Sequence, residues 1–308
     1  MSTTSSPTAQ PLVVVTGATG FIGTALVARL RAAGARVRRV TRGGDGRDPD
    51  DIVWDPMRGV LPARELDGAD AVVNLAGAPI ARRWTASRKR AIRESRRRGT
   101  ELLARTLATL ERRPRVLVSG SAVGYYGDRG DESLDETSAP GTDFLAQVAR
   151  EWEEATAPAR EAGVRVVLTR TGIVLGAHAG ALEQLMLPFR FGVGGRIGSG
   201  RQWMSWIALD DELGAIEHAL ATDGLHGPAN LVSPNPVTNT EFAATLGRVL
   251  GRPAAIPAPA FAVEMAFGEM ARTTILAGQR AYPGALLRTG FHFRHPTLEQ
   301  ALRFELAR

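Results

Sequence analysis

The 308-residue chain has no cysteine, and of its 38 lysines and arginines only Lys89 is a lysine, leaving 37 arginines. The missing cysteines exclude disulfides, thiolate nucleophiles and thiolate-ligated zinc or iron–sulfur centres. With arginine always protonated, any side-chain amine that must titrate has to be Lys89. Tyrosine is scarce as well: Tyr125, Tyr126 and Tyr282 are the full set. No apolar run reaches the roughly 20 residues of a membrane helix, so no membrane partner is expected. The segment 1–10 is rich in Ser, Thr and Pro and lacks both a basic start and an apolar core, which reads as a disordered leader and not a signal peptide. A cytoplasmic location is the default.

The balance of 38 basic against 32 acidic residues gives a net charge of +6 and a pI near 10.7. That invites nucleic-acid binding, so the distribution of charge matters. The densest stretch runs from Arg82 to Arg98, with Glu94 its single acid. It reads as a solvated helix face or as a face for an anionic ligand. No nucleic-acid module accompanies it, and nucleic acid is not expected as a partner. His292-x-x-His295 has no third ligand nearby, so a surface or packing role is expected there and no metal site.

Residues 11–15 form an apolar, β-branched run that ends in a glycine turn, and Ala25, Leu26, Val27 and Leu30 then recur at helical spacing up to Gly34. A second strand, 36–41, completes a β-α-β unit. Further strands are expected at 71–75, 115–119 and 164–169, with helices over 86–110 and 144–161. The alternation predicts an α/β fold, a Rossmann-type doubly wound parallel sheet over residues 11–176, with a smaller substrate-side and C-terminal region over 177–308.

Gly17-x-x-Gly20-x-x-Gly23 places glycines where a strand hands over to a helix: for the tight turn, for approach of a pyrophosphate, and for helix–strand packing. Thr19, Phe21 and Ile22 belong to the same cofactor-binding turn. NAD specificity usually shows an acid at the end of the second strand. Here Thr41-Arg42 stands there, with Arg38 and Arg39 just before and Asp45 only later. A guanidinium suits a 2′-phosphate, so NADP(H) is favoured over NAD(H).

With these residues on the page, the chain resembles the extended short-chain dehydrogenase/reductase superfamily: residues 16–23, Asp70 to Gly77, Ser119 to Gly127, and Arg170 to Gly176. More narrowly it resembles the atypical epimerase-like (SulA-type, sugar-nucleotide-epimerase-like) branch, which carries a C-terminal domain of unknown function. Trp54-Asp55-Pro56, Arg83-Trp84, Gly124-Tyr125-Tyr126-Gly127, Gly198-Ser199-Gly200-Arg201-Gln202 and Gly278-Gln279-Arg280 carry that likeness. The resemblance implies that Leu75 and Ala76 line the cofactor and that Ile173 touches its nicotinamide end. It also puts Arg96 where members have the Asn of an Asn-x-x-Gly-Thr element, toward the cofactor phosphates.

The superfamily's proton-transfer pair, Tyr-x-x-x-Lys, is missing: Phe144 and Val148 hold its positions by helix register. Ser121 keeps the place of the catalytic Ser/Thr. Tyr125 or Tyr126 is the candidate surrogate acid, with turn packing as the alternative role, because tyrosine ordinarily titrates near pH 10 and no lysine stands by to lower it. The acidic loop 128–136 reads as a solvated face, which the resemblance places at the border of the substrate cleft; Arg201, Trp203 and Trp206 are expected to line that cleft, and Asp210-Asp211 reads as a helix N-cap. The resulting expectation is an NADP(H)-binding epimerase-like oxidoreductase with an unidentified small-molecule substrate. The alternative is a catalytically silent NADP(H)-binding sensor or cell-division-related interaction protein. A homodimer is left open as the assembly.

Overall fold

The computed structural model describes residues 10–43, 48–177 and 179–307. Nearly all of the expected leader, and Asp45, lie outside them. Strands β1 (Leu12–Thr16), β2 (Arg36–Thr41), β3 (Ile52–Val53), β4 (Ala71–Asn74) and β5 (Val116–Ala122) pair with Arg165–Thr171 and Gly227–Leu231 in one seven-stranded sheet. From one edge the order is Gly227–Leu231, Arg165–Thr171, β5, β4, β1, β2, β3, and every pairing is parallel.

Successive residues of a strand point to opposite faces, and here both faces are apolar because both are covered. Val13, Val15, Val73, Val118 and Val167 join Leu26 and Val27 of helix α1 (Phe21–Ala32) and Leu213 and Ile216 of helix Leu209–Ala221 in one core. Val14, Val72, Leu117, Val166 and Leu168 join Leu103 and Leu107 of α2 (Ala86–Thr109) in the other. The fold is the doubly wound α/β sheet of the expectation. A third core holds Leu182, Met186, Phe189, Trp206, Phe242, Leu246 and Leu302.

Three details depart from the sequence reading. The helix expected over 144–161 breaks into α3 (Phe144–Glu154) and α4 (Ala157–Glu161). Pro158 has no N–H and its ring would strike the carbonyl one turn back, so the chain stops, turns at buried Thr156, and restarts with the proline in the first turn. Trp206, expected at the substrate, is fully buried and donates its indole N–H to the Asn235 carbonyl at 3.0 Å. Asp210 and Asp211 are not N-caps, since Ala208 holds that position. Asp210 instead accepts from Arg29 (2.9 Å) and Arg294 (3.0 Å), and Asp211 accepts the backbone N–H groups of Arg294 and His295 at 2.7 and 2.9 Å. Burial pushes the Asp211 carboxyl up, and those two backbone bonds oppose the shift.

Candidate functional site

The site lies at the carboxyl ends of β1, β2, β4 and β5, where loops leave the sheet. Each glycine of the turn does a separable job. Gly17 has φ +67°, and a Cβ there would sit 2.6 Å from the carbonyl of Leu75. A Cβ on Gly23 would come within 2.2 Å of the Gly17 carbonyl oxygen, so only glycine lets α1 start against the turn. A Cβ on Gly20 would meet only the Gly17 oxygen, at 3.2 Å, and otherwise open space. Gly20 is the N-cap of α1 and supplies no side-chain cap, which leaves the helix N-terminus facing outward for an anion. The turn therefore fits a pyrophosphate at Gly20, with the Leu75–Ala76 backbone as its wall.

At the end of β2 the three arginines separate. Arg38 donates to the Glu65 carbonyl at 2.9 Å. Arg39 forms a two-pronged pair with Asp51, both bonds 2.8 Å, and hydrogen bonding to that carboxylate holds its guanidinium charged. Arg42 is exposed and, among the described residues, makes no ion pair. It is the cation of the strand end that stays available.

Beneath the turn runs a buried polar network. Thr16 donates to Asn74 at 2.7 Å, Asn74 donates to Thr100 (2.8 Å) and Ser119 (3.2 Å), and the Trp152 indole donates to Thr100 at 2.9 Å. It ties β1, β4, β5, α2 and α3 together, so the loops above leave from a fixed base. Asn74 and Thr100 were legible as motif letters, but their partnership was not. Arg96, on α2, bonds the carbonyls of Ala78 (3.0 Å) and Ile92 (3.2 Å) and lies over the Trp152 ring. A Cβ on Gly77 would meet its guanidinium at 3.0 Å. Burial pushes Arg96 down to about 10, and it has no carboxylate partner among the described residues. A guanidinium in that state, beside the loop after β4, suits an anion.

Ser121 and Tyr126 come together, but in a closed cluster. Ser121 donates to Glu153 at 2.6 Å, and Glu153 takes Arg170 through bonds of 2.8 and 2.9 Å. Arg170 donates to the Tyr126 hydroxyl at 3.1 Å, which in turn donates to Asn230 at 2.7 Å. Tyr126 is wholly buried, and burial pushes its hydroxyl up to about 12. Burial also works against the charge of Arg170, yet the Glu153 bonds raise it above its ordinary value. The cluster thus holds its protons tightly and fastens the Gly227–Leu231 strand to the site. Tyr125 is only half-buried, with the Arg170 guanidinium 3.5 Å from its ring centroid. Ile173 is half-buried and its N–H donates to the Ser205 carbonyl at 2.7 Å.

The vacated tyrosine position has an unexpected neighbour. The Lys89 ammonium stands 4.4 Å from the Phe144 ring centroid and 2.7 Å from Glu269, although more than fifty residues of chain separate Lys89 from Phe144. Sequence distance hid this, since α2 and α3 start side by side. The rest of the arginine run is largely engaged: Arg93 pairs with Glu151, Arg97 and Arg98 with Glu94, and Arg83 donates to the Met265 carbonyl at 2.9 Å. Trp203 sits where the acidic loop meets the C-terminal region, its indole N–H on Asp131 at 2.7 Å and Arg280 over its ring. His295 stacks on Phe304, and among the described residues no group of three metal-binding side chains occurs.

Against known proteins, residues 13–231 match the model of the NAD dependent epimerase/dehydratase family. The chain belongs to that family. Residues 258–305 match a domain of unknown function, DUF1731, the C-terminal domain the resemblance called for. Among this epimerase-family chain's relatives, an epimerase family protein of Mycobacterium bovis is 45% identical over 97% of this chain and 99% of its own. The human epimerase family protein SDR39U1 is 41% identical over 94% and 98%. The crystal structure of that human protein (isoform2) with NADPH superposes with a TM-score of 0.88 at 38% identity, covering 96% of this chain and 99% of the other. A nucleoside-diphosphate sugar epimerase from Corynebacterium glutamicum gives 0.81 at 39% identity, over 96% of this chain and 58% of that one.

Proposed function

We propose that this epimerase-family protein binds NADPH across the glycine turn and works as an oxidoreductase of the extended short-chain type whose proton-transfer group has moved from its usual place. The observation that carries the reading is the pairing of an open helix N-terminus at Gly20 with Arg42, exposed at the end of β2 and without an ion pair among the described residues. The human relative, similar over nearly the whole chain, was solved with NADPH. The α1 N-terminus and Arg96 would hold the pyrophosphate, Arg42 the 2′-phosphate, Thr41, Leu75 and Ala76 the adenosine side, and Ile173 the nicotinamide end. When bound, the nicotinamide supplies or takes up hydride. The chain's own part is to orient that ring and move a proton at the substrate. Of the groups singled out by sequence, Tyr125 is the one with exposed surface for that task.

Phe144 and Val148, which cannot move a proton, favour a second reading, a silent NADPH sensor. The first requires bound NADPH to be oxidised by some member of a panel of carbonyl compounds and nucleotide sugars, and the second requires it to persist across that panel. For the cofactor itself, Arg42→Ala should weaken NADPH by about ten- to a hundredfold, the range for losing bonds to a charged group, and leave NADH nearly unchanged. Calorimetric titration with both nucleotides checks this, and equal losses would remove Arg42 from the 2′-phosphate.

A further inference from the structure

We propose that the cavity between the first turns of α2 and α3 is a binding site for a small dianion, a phosphate monoester or dicarboxylate, forming the charged end of the substrate in the reading above. The cavity measures about 430 Å³ and is walled by Lys89, Arg90, Arg93, Phe144, Gln147 and Glu269. Three cations and a side-chain amide thus converge from two helices, against one carboxylate from the C-terminal region. Arg93 is satisfied by Glu151, which does not line the space. Arg90 is exposed and has no ion-pair partner among the described residues.

The net charge of the wall is therefore positive, and its volume falls within the usual range for small-molecule sites. The Phe144 ring forms an apolar floor with Trp84 edge-on at 5.1 Å. Lys89 and Glu269 make the movable part. Their side chains keep 32% and 40% of their surface exposed, and an ion pair so open to water contributes little and exchanges readily. A dianion entering beside Arg90 offers Lys89 more charge than a single carboxylate does. Lys89 then leaves Glu269 for the ligand, and the tie between α2 and the C-terminal region becomes sensitive to occupancy.

The scarcity of lysine provides the test. Selective carbon-13 labelling of lysine Cε in the full chain gives one side-chain signal, that of Lys89. With NADPH saturating, so that the glycine turn is already filled, titration with inorganic phosphate and separately with succinate should move this signal along a saturable curve. The stronger of the two identifies the headgroup. Sodium chloride at matched ionic strength should not produce such a curve. Glu269→Gln, which removes the competing carboxylate, should tighten binding several-fold. Arg90→Gln should weaken it by roughly tenfold, as for one lost charge-assisted bond. A signal that follows ionic strength alone, or a titration unchanged in Arg90→Gln, overturns the proposal. NADPH affinity, followed in parallel by nicotinamide fluorescence, reports on the cofactor reading separately, because phosphate binding at Lys89 remains readable without NADPH.

Discussion

At the scale of single residues, two adjacent tyrosines have opposite surroundings. Tyr126 is sealed, with its proton on Asn230 and its oxygen receiving Arg170, so its hydroxyl serves as a strut. Tyr126→Phe leaves the Asn230 side-chain Oδ1 and one Arg170 N–H without their partner, a loss of about 1–3 kcal/mol. The expected outcome is a lower denaturation midpoint with NADPH affinity and any NADPH oxidation unchanged. Tyr125→Phe should do the reverse, leaving stability nearly intact and abolishing oxidation. If Tyr126→Phe abolishes oxidation in a folded protein, the strut assignment is wrong. Sequence could not separate the pair, because burial of a neighbouring side chain depends on which residue of a tight turn faces the sheet. Arg170 was visible as a motif letter too, but its ion pair with Glu153 required the spatial meeting of α3 with strand Arg165–Thr171.

At the scale of elements, the strand–turn–helix at the N-terminus was fully legible, since its three glycines mark the hand-over from strand to helix, each under its own demand: close approach to the Leu75 backbone at Gly17, open space for a ligand at Gly20, and room for α1 at Gly23. Those demands differ, and the difference is measurable. Gly23→Ala drives a Cβ to 2.2 Å from a carbonyl oxygen that cannot retreat without moving Gly17 from the Leu75 backbone. It should cost several kcal/mol, of the order of an overpacked core. Gly20→Ala places its methyl group in the opening, with ordinary backbone angles of φ −80° and ψ 172°. It should fold with nearly unchanged stability and lose NADPH affinity by tenfold or more, because the pyrophosphate needs that space. Thermal melts with and without NADPH distinguish the two. A Gly20→Ala protein that binds NADPH normally would place the pyrophosphate elsewhere. The break between α3 and α4 was legible in principle, as Pro158 forbids a continuous helix. The burial of Trp206 was not, because the short stretch holding Trp203 and Trp206 after the glycines carries no periodicity to say which side either faces.

At the scale of the whole molecule, helix Leu209–Ala221 packs on the sheet beside α1, and its first turn carries Asp210, Asp211 and Glu212, all buried. Asp210 reaches Arg29 on α1, Asp211 holds the backbone at 294–295, and Glu212 accepts the Thr171 hydroxyl at 2.9 Å. The second Glu212 oxygen has no hydrogen-bond partner among the described residues, and burial pushes the carboxyl up to about 8. A carboxyl that binds its proton more tightly folded than unfolded stabilises the fold while protonated. Its contribution is complete at low pH, begins to fall above the ordinary carboxylate range, and is gone once pH passes about 8. The linkage is about 1.4 kcal/mol for each tenfold change in proton concentration, so roughly 2–3 kcal/mol should disappear between about pH 6 and pH 8. In a chain of this size that is a fall of several degrees in Tm. Glu212→Gln keeps the shape and an oxygen to accept from Thr171 but cannot ionise, so its Tm should stay level over the same interval and exceed that of the parent at the alkaline end. Parallel falls in the two proteins would show that another group governs the alkaline limit, and that the start of helix Leu209–Ala221 holds no titrating acid that sets it.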